Sequence, residues 1–458
     1  MNTTVEGLSQ RRKAIILATC CLSLLIASMD ATIVNVAIPA IRDQLHAPLP
    51  RLQWIIDIYT LTLASLLMLA GATADRFGRR RLFRIGLVIF ALGSLLCSLA
   101  PNIDILIAAR FVQAIGGSML NPVAMSIITT VFTGKMERAR AVGIWGAVVG
   151  ISMALGPIVG GGLIDLFGWQ SVFWINLPIC AVAVLLTTVY VPESKSNRVR
   201  DIDPVGQLLA IAFMFTLVYG LIERMPAMFA AAAAAIAAFI WYERRRRDPF
   251  IDLRFFRSVP FASATVVAVF AFAGLGAFLF TGSLYLQTVR GYSAVHTGLL
   301  YVAMAAATLV SSPLSGRLVG RLGTKPSLLV SGVAMAVAAL ALTQLTPDTP
   351  IWMLIVVFAI FGIGFGSVNA PITTAAVSGM PLDRAGAAAA VASTSRQVGV
   401  SIGVALCGVL GTTGVWWVIA PGAAGIAILG IVANTAWARR SQAAVAPMLD
   451  QKVLQDVH

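Results

Sequence analysis

Charge is scarce in this sequence. Asp, Glu, Lys and Arg make up 11% of 458 residues, where an ordinary soluble domain carries roughly 25%. Hydrophobic residues reach 59%. A soluble fold of this length has no place to hide so much apolar surface, whereas a bilayer is itself apolar solvent. Histidine is nearly missing, with His46, His296 and His458 far apart. The five cysteines, Cys20, Cys21, Cys97, Cys180 and Cys407, lie inside apolar runs and form no C-x-x-C pair. They read as small packing residues. Without clustered His, Cys and acids, a metal site, a membrane enzyme and a histidine proton relay are all disfavoured. No nucleotide-binding G-x-x-x-x-G-K-[ST] exists, since Gly134-Lys135 runs on into Met136. Gly362, Gly364 and Gly366 sit within an apolar run and read as packing residues. The expectation is a protein that is not an enzyme and uses no cofactor and no metal.

What is abundant is the long apolar run. A span needs about 20 residues. Such runs fall at 14–38, 54–71, 82–99, 104–131, 143–164, 172–191, 205–222, 226–242, 261–286, 297–314, 327–345, 351–369, 387–410 and 416–437. The predicted fold class is therefore an all-α polytopic membrane protein with fourteen transmembrane helices. The first run follows Arg11, Arg12 and Lys13 as a signal peptide would, but it is too long for an h-region and contains Asp30.

The basic residues orient this scheme. An even number of spans puts both termini on one side, and 27 of the 33 Lys and Arg then fall on that side. Arg42, Arg51, Arg224 and Arg290 fall on the other, and Arg110 and Arg396 stay within spans. The positive-inside rule makes the basic side cytoplasmic. The net charge of +14 is then a topology signal facing anionic lipid, and nucleic acid is not an expected partner. The tryptophans fall near predicted span ends, where indole favours the headgroup level.

Two loops repeat one pattern. Gly71-Ala-Thr-Ala-Asp75-Arg76-Phe-Gly78-Arg79-Arg80 and Gly316-Arg317-Leu-Val-Gly320-Arg321-Leu-Gly323-Thr-Lys325 share G-x-x-x-x-R-x-G-x-[RK]. One follows span 2, the other the second of the last six spans. The chain so parses as a six-helix bundle (1–200), two inserted spans with linkers (201–245), a second six-helix bundle (246–438) and a tail (439–458). Parallel repeats of this kind build a rocker around a central site.

Four local patterns resemble a known family, the fourteen-span drug:proton antiporter branch of the major facilitator superfamily. Asp30-Ala-Thr32-Ile-Val-Asn35-Val-Ala-Ile-Pro39 resembles the branch's span-1 signature. The Gly71–Arg80 loop resembles the superfamily's loop motif, with Thr73 where leucine is usual. Arg110-Phe-Val-Gln113-Ala114-Ile-Gly116-Gly117 is similar to R-x-x-Q-G-x-G, with Ala114 replacing glycine. Gly156-Pro157-Ile-Val-Gly160-Gly161 resembles the G-P-x-x-G-G of exporters. Trp54-Ile-Ile-Asp57-Ile-Tyr59 looks like the subset that handles quaternary ammonium compounds. The resemblance implies a monomeric antiporter in the plasma membrane of a bacterium, exporting small amphipathic cations against protons. An exporter dedicated to one antibiotic or metabolite, or a channel, are the alternatives.

Ionisable groups inside spans are costly and mark function. Helical rise puts Asp30 roughly 14 Å, Asp57 roughly 5–8 Å and Arg110 roughly 9 Å from the outer ends of their spans. Desolvation and a nearby guanidinium push a carboxylate's proton affinity in opposite directions, and the balance can leave it exchanging protons near neutral pH. Asp30, Asp57, Arg110 and Gln113 are thus candidates for proton coupling and substrate binding. Asp30 could instead be tied in a fixed hydrogen bond beside Thr32 and Asn35, and Asp57 could be wetted from outside. In the second half Arg396, Gln397 and Asn369 are candidates, with Arg396 pairing either with a substrate anion, a carboxylate or backbone carbonyls. Gly71, Asp75, Arg76, Gly78, Arg79 and Arg80 read as a cytoplasmic gate whose charges pair with a neighbouring helix end, or as topology signals alone. Gly156, Pro157, Gly160 and Gly161 suggest a tight, bendable interface between the halves, or ordinary packing.

Overall fold

In hydrocarbon every backbone N–H and C=O must be satisfied within its own segment, so long apolar runs become helices. The computed structural model describes residues 8–195, 203–246, 249–381 and 384–455, and among them there is no strand. The helices are α1 (Gln10–Leu45), α2 (Leu49–Phe77), α3 (Arg79–Ser98), α4 (Ile103–Val131), α5 (Lys135–Phe167), α6 (Ser171–Trp174), α7 (Asn176–Tyr190), α8 (Pro204–Ile222), α9 (Pro226–Glu243), α10 (Val259–Leu284), α11 (Ala294–Leu322), α12 (Thr324–Leu342), α13 (Ile351–Val377), α14 (Ala385–Gly414), α15 (Trp416–Val432) and α16 (Ala436–Gln455). A π-helical turn, Tyr285–Val289, continues α10. The short α6 runs into α7, and together they make one candidate span, Ser171–Tyr190. The predicted linker boundary at 200/201, and Arg198, Arg200 and Arg247, lie outside the described residues.

Among the described residues thirteen helices are long and apolar enough to cross a membrane, or fourteen if the bent pair of α15 and α16 counts as one. The bend is 76°. The last span was expected to reach 437, but α15 stops at Val432. Asn434 turns its Nδ2 back to Gly430 O at 2.8 Å and to Thr324 Oγ1 at 3.1 Å. Thr435 Oγ1 then accepts from Ala438 N at 3.3 Å and starts α16. The segment expected as a tail is thus helical to Gln455, and Val259 N donates to its Ser441 Oγ at 3.0 Å.

The chain forms two compact units, Met1–Ile202 with Leu286–Tyr301, and Asp203–Tyr285 with Val302–His458. In the first, α4 packs on α2 and α3, and α1 packs on α5, α4 and α7. Glycines let α3 and α4 approach closely, as small residues do between membrane helices. A Cβ on Gly116 would stand 2.6 Å from Gly86 O, and one on Gly93 would stand 2.6 Å from Gln113 Cβ. In the second unit α10 packs on α14, α12 on α13 and α15, and α8 on α9 and α14.

The tryptophans divide. Trp174, Trp241, Trp352, Trp417 and Trp437 are exposed, while Trp54, Trp169 and Trp416 are buried against other helices. Those three also stand at helix ends, near the start of α2, just past α5 and at the start of α15, with their rings packed against protein.

Each repeated loop turns on a glycine with positive φ. Gly78 ends α2 with φ +113°, and Gly323 ends α11 with φ +78°. Each N–H closes its helix at 3.0 Å, on Ala74 O and Val319 O. An L-residue at such a φ costs about 1–3 kcal/mol. A Cβ at Gly78 would also press on the Glu193 carboxylate at 2.7 Å, whereas one at Gly323 would meet only Asn434 Oδ1 at 3.8 Å. Gly78→Ala should therefore lower the melting temperature of the purified protein more than Gly323→Ala. Equal shifts would show that Glu193 yields freely.

Candidate functional site

Four helices of the first unit, α2, α3, α4 and α7, place polar groups around the Asp30–Arg110 pair. Arg110 and Gln113 stand three residues apart on α4 and so share a helix face. Arg110 Nη1 donates to Asp30 Oδ2 at 2.5 Å and to Gln113 Oε1 at 2.6 Å. Its Nε donates to Ile55 O of α2 at 3.2 Å. The guanidinium also lies 4.1 Å from the ring centre of Tyr59 on α2 and 5.9 Å from that of Phe173 on α6, which adds cation–π attraction. The other carboxylate oxygen, Asp30 Oδ1, accepts from Gln113 Nε2 at 2.9 Å and from Asn176 Nδ2 of α7 at 3.4 Å. Both amides also donate to Ser94 Oγ of α3, at 2.8 and 3.2 Å.

Burial sets the energetic weight of this cluster. The ion-paired side chains are 2% exposed for Arg110 and 0% for Asp30. Two charges taken out of water are costly, and their mutual attraction offsets this only with good geometry and further hydrogen bonds. Here the network supplies both. Removing one partner leaves the other buried and uncompensated, at about 3–5 kcal/mol.

Of the candidates read from sequence, Asp30, Arg110 and Gln113 come together. Asp30 is not tied to Thr32 and Asn35, whose side chains bond to Met29 O and Ala31 O of their own helix, both at 3.0 Å. Asp57 is fully buried on α2, so the reading that solvent wets it does not hold. Ser94, Asn176 and the role of the Tyr59 ring were missed. A signal for Asn176 existed, since it is the one amide in the apolar run 172–191.

Arg396, Asn369 and Gln397 lie in the second unit. Arg396 Nη2 donates to Thr373 Oγ1 at 2.7 Å, and Asn369 Nδ2 points to Phe365 O of its own helix at 3.4 Å. Gln397 is half-buried.

The Gly71–Arg80 loop is built as a set of polar ties. Asp75 Oδ1 accepts from Arg79 Nη2 at 2.8 Å and from Arg79 Nε at 3.1 Å. Arg79 also reaches Thr130 Oγ1 on α4, and Arg80 reaches Thr188 O on α7. Arg76 lies 5.5 Å from the ring centre of Phe77. Gly71 faces Pro122 Cβ of α4 at 4.0 Å. Glu193, which was not foreseen, accepts from the backbone N–H groups of Arg80 and Arg81 at 3.1 and 3.2 Å. A carboxylate there complements the positive end of the α3 dipole.

The α5 glycines split between two neighbours. A Cβ on Gly156 would collide with Thr32 Oγ1 of α1, and one on Gly160 with Ile33. Both therefore serve packing inside the first unit, not an interface between the halves. Gly161 meets the start of α11, where a Cβ would lie 2.5 Å from Ala294 O. The Pro157 carbonyl crowds Gly298. Asp165, near the end of α5, accepts from Ala294 N and Val295 N at 3.2 Å each, capping α11.

Comparison with known proteins agrees with this architecture. Residues 20–404 match the Major Facilitator Superfamily. The multidrug resistance protein Stp of Mycobacterium tuberculosis (strain CDC 1551 / Oshkosh) is 38% identical over 398 residues, covering 84% of this chain and 74% of that protein. The tetracenomycin C resistance and export protein of Streptomyces glaucescens is 34% identical over 421 residues, covering 89% of this chain and 78% of that one. Among solved structures, a D-xylose-proton symporter superposes with a TM-score of 0.68 at 14% identity, covering 91% of this chain and 97% of that one; at that identity it bears on the fold alone.

Proposed function

The chain belongs to the major facilitator superfamily and is a membrane transporter, not an enzyme, and from that premise we propose that it is a proton-coupled antiporter exporting small amphipathic, cationic drugs or toxic compounds. In this reading it works as a monomer in a bacterial plasma membrane with both termini cytoplasmic. The inserted pair α8–α9 packs on α14 of the second unit, and transport proceeds by alternating access. The relatives' names, multidrug resistance and antibiotic export, support the efflux direction.

The observation that carries proton coupling is the buried Asp30–Arg110 pair. Protonation of Asp30 removes the charge that holds Arg110. The guanidinium then keeps Gln113 Oε1, Ile55 O and the Tyr59 ring as partners. A carboxylate that is either protonated or available to a cation makes proton and substrate compete for one site. Asp57, buried on the same helix as Ile55, is the second acid proposed to serve coupling. The Asp75–Arg79 pair, with Arg79 tied to Thr130 of α4 and Arg80 to Thr188 O of α7, is the proposed cytoplasmic gate on the side of the first unit. A second reading, export of a single antibiotic, rests on the name of the Streptomyces relative.

The test uses inside-out vesicles containing the protein. A proton gradient is established, and ethidium or another quaternary ammonium compound is added. The gradient should dissipate. If several chemically distinct cations leave it intact, the cationic multidrug reading is wrong, and neutral and anionic compounds become the substrates to try.

A further inference from the structure

The two intramembrane arginines are in opposite electrostatic situations. Arg110 has a carboxylate, an amide oxygen, a backbone carbonyl and an aromatic face. Arg396 pairs with no carboxylate among the described residues. Its Nη2 donates to Thr373 Oγ1 at 2.7 Å, and its Nε has no partner among them. It stands eleven residues into the thirty-residue α14, so roughly 17 Å along the helix axis at 1.5 Å per residue. A guanidinium at such depth is held toward protein or a water-filled cavity, not toward lipid tails. Its Nε therefore stands ready for an acceptor that the described residues do not supply.

We propose that Arg396 is the anchor of a substrate subsite in the second unit that takes a carboxylate or phenolate oxygen carried by a planar aromatic compound. The inference rests on the exporter reading and narrows its cationic substrates to those that also carry such an acidic oxygen. The mount is rigid, because Gly399 and Gly403 bring α14 onto α10. A Cβ on Gly399 would lie 2.6 Å from Val269 O, and one on Gly403 would overlap the Ala273 carbonyl. The wall beside the guanidinium is aromatic. Arg396 lies 5.8 Å from the ring centre of Phe272, which packs edge-on against Phe365 at 5.1 Å. Thr373 is a positioning residue. Its single hydroxyl proton goes to Asn369 O at 3.1 Å, leaving the oxygen to accept from Arg396. A cation gains nothing beside an unpaired guanidinium, whereas a planar anion can meet its fork with two parallel hydrogen bonds.

The experiment compares two dyes with the same cationic xanthylium ring: rhodamine 19, with a free carboxylate, and rhodamine 6G, its ethyl ester. Binding to the detergent-purified full chain is followed by fluorescence polarisation. Arg396→Gln should raise the Kd for rhodamine 19 by roughly 10- to 100-fold, the range for a lost hydrogen bond between charged groups. Rhodamine 6G should be nearly unaffected, which also certifies the fold. Equal weakening of both dyes, or of neither, would overturn the assignment. Should Arg396→Gln not fold, the unaltered protein answers through phenylglyoxal labelling of Arg396. Rhodamine 19 should protect it where rhodamine 6G does not, and equal protection overturns the assignment. If neither dye binds the unaltered protein but ethidium still dissipates the vesicle gradient, this inference fails and the exporter reading stands. If neither dye binds and several chemically distinct cations also leave the gradient intact, the cationic multidrug reading fails together with this inference.

Discussion

Asp30→Asn should abolish proton-coupled efflux, with the substrate-driven proton flux in vesicles falling by roughly 100-fold or more, as expected when an obligatory proton carrier is lost. The asparagine keeps the size of the side chain and an oxygen for Gln113 Nε2 and Asn176 Nδ2, which bond to Asp30 at 2.9 and 3.4 Å. What it removes is the negative charge 2.5 Å from Arg110 and the ability to take up and release a proton. Arg110 is then a buried cation without a counter-ion, so stability should also fall by about 3–5 kcal/mol. The double variant Asp30→Asn with Arg110→Gln separates these effects. It deletes both charges, and an uncharged buried pair is often as stable as the ionic one. Thermal stability should therefore return toward that of the parent, while proton flux stays absent. Transport by the double variant at the parent rate would show that the pair is structural and that coupling lies elsewhere, with Asp57 the next acid to replace.

Gly93→Val should prevent the protein from reaching a folded state. A Cβ at this position would lie 2.6 Å from Gln113 Cβ, with the Gln113 backbone closer still. Valine adds two methyl groups to that overlap. Overpacking typically costs about 1–3 kcal/mol, and more where the obstacle is backbone. Here the obstacle is the α4 main chain, which shifts only as a unit. The strain falls on the site as well, because Ser94 and Gln113, whose side chains hydrogen-bond at 2.8 Å, flank the crossing. Gly162→Ala is the control, since nothing lies within 4 Å of a Cβ there. Size-exclusion recovery and thermal unfolding of the two variants decide the matter. A Gly93→Val protein that melts within a few degrees of the parent would mean that α3 and α4 can separate without penalty.

The membrane character was legible in the residues alone, because hydropathy and charge placement are properties of each residue in turn. The apolar runs located the helices, although most helices extend beyond them: the run 14–38 lies within Gln10–Leu45. The runs mark only the apolar stretch, and helices continue past it through polar and charged residues. The need for glycine at Gly78 and Gly323 was visible as a repeat, and its reason, a positive φ closing each helix, belongs to the fold.

The polar cluster was only partly legible. Rarity of charge in an apolar run singled out Asp30 and Arg110, but not that they would meet across 80 positions of chain. That contact depends on the rotation of α1 and α4 about their own axes, which is set by how side chains and glycines interlock between helices. Asn176 and Ser94 look ordinary in sequence, since a neutral polar residue in a span is not unusual. Only their convergence on Asp30 and Gln113 gives them a role. The same packing decided that Gly156 and Gly160 face α1, and that Arg110 has a carboxylate partner while Arg396 has none among the described residues. Composition selects the solvent in which this chain folds; contacts between helices, formed one face at a time, select which of its few polar groups act together.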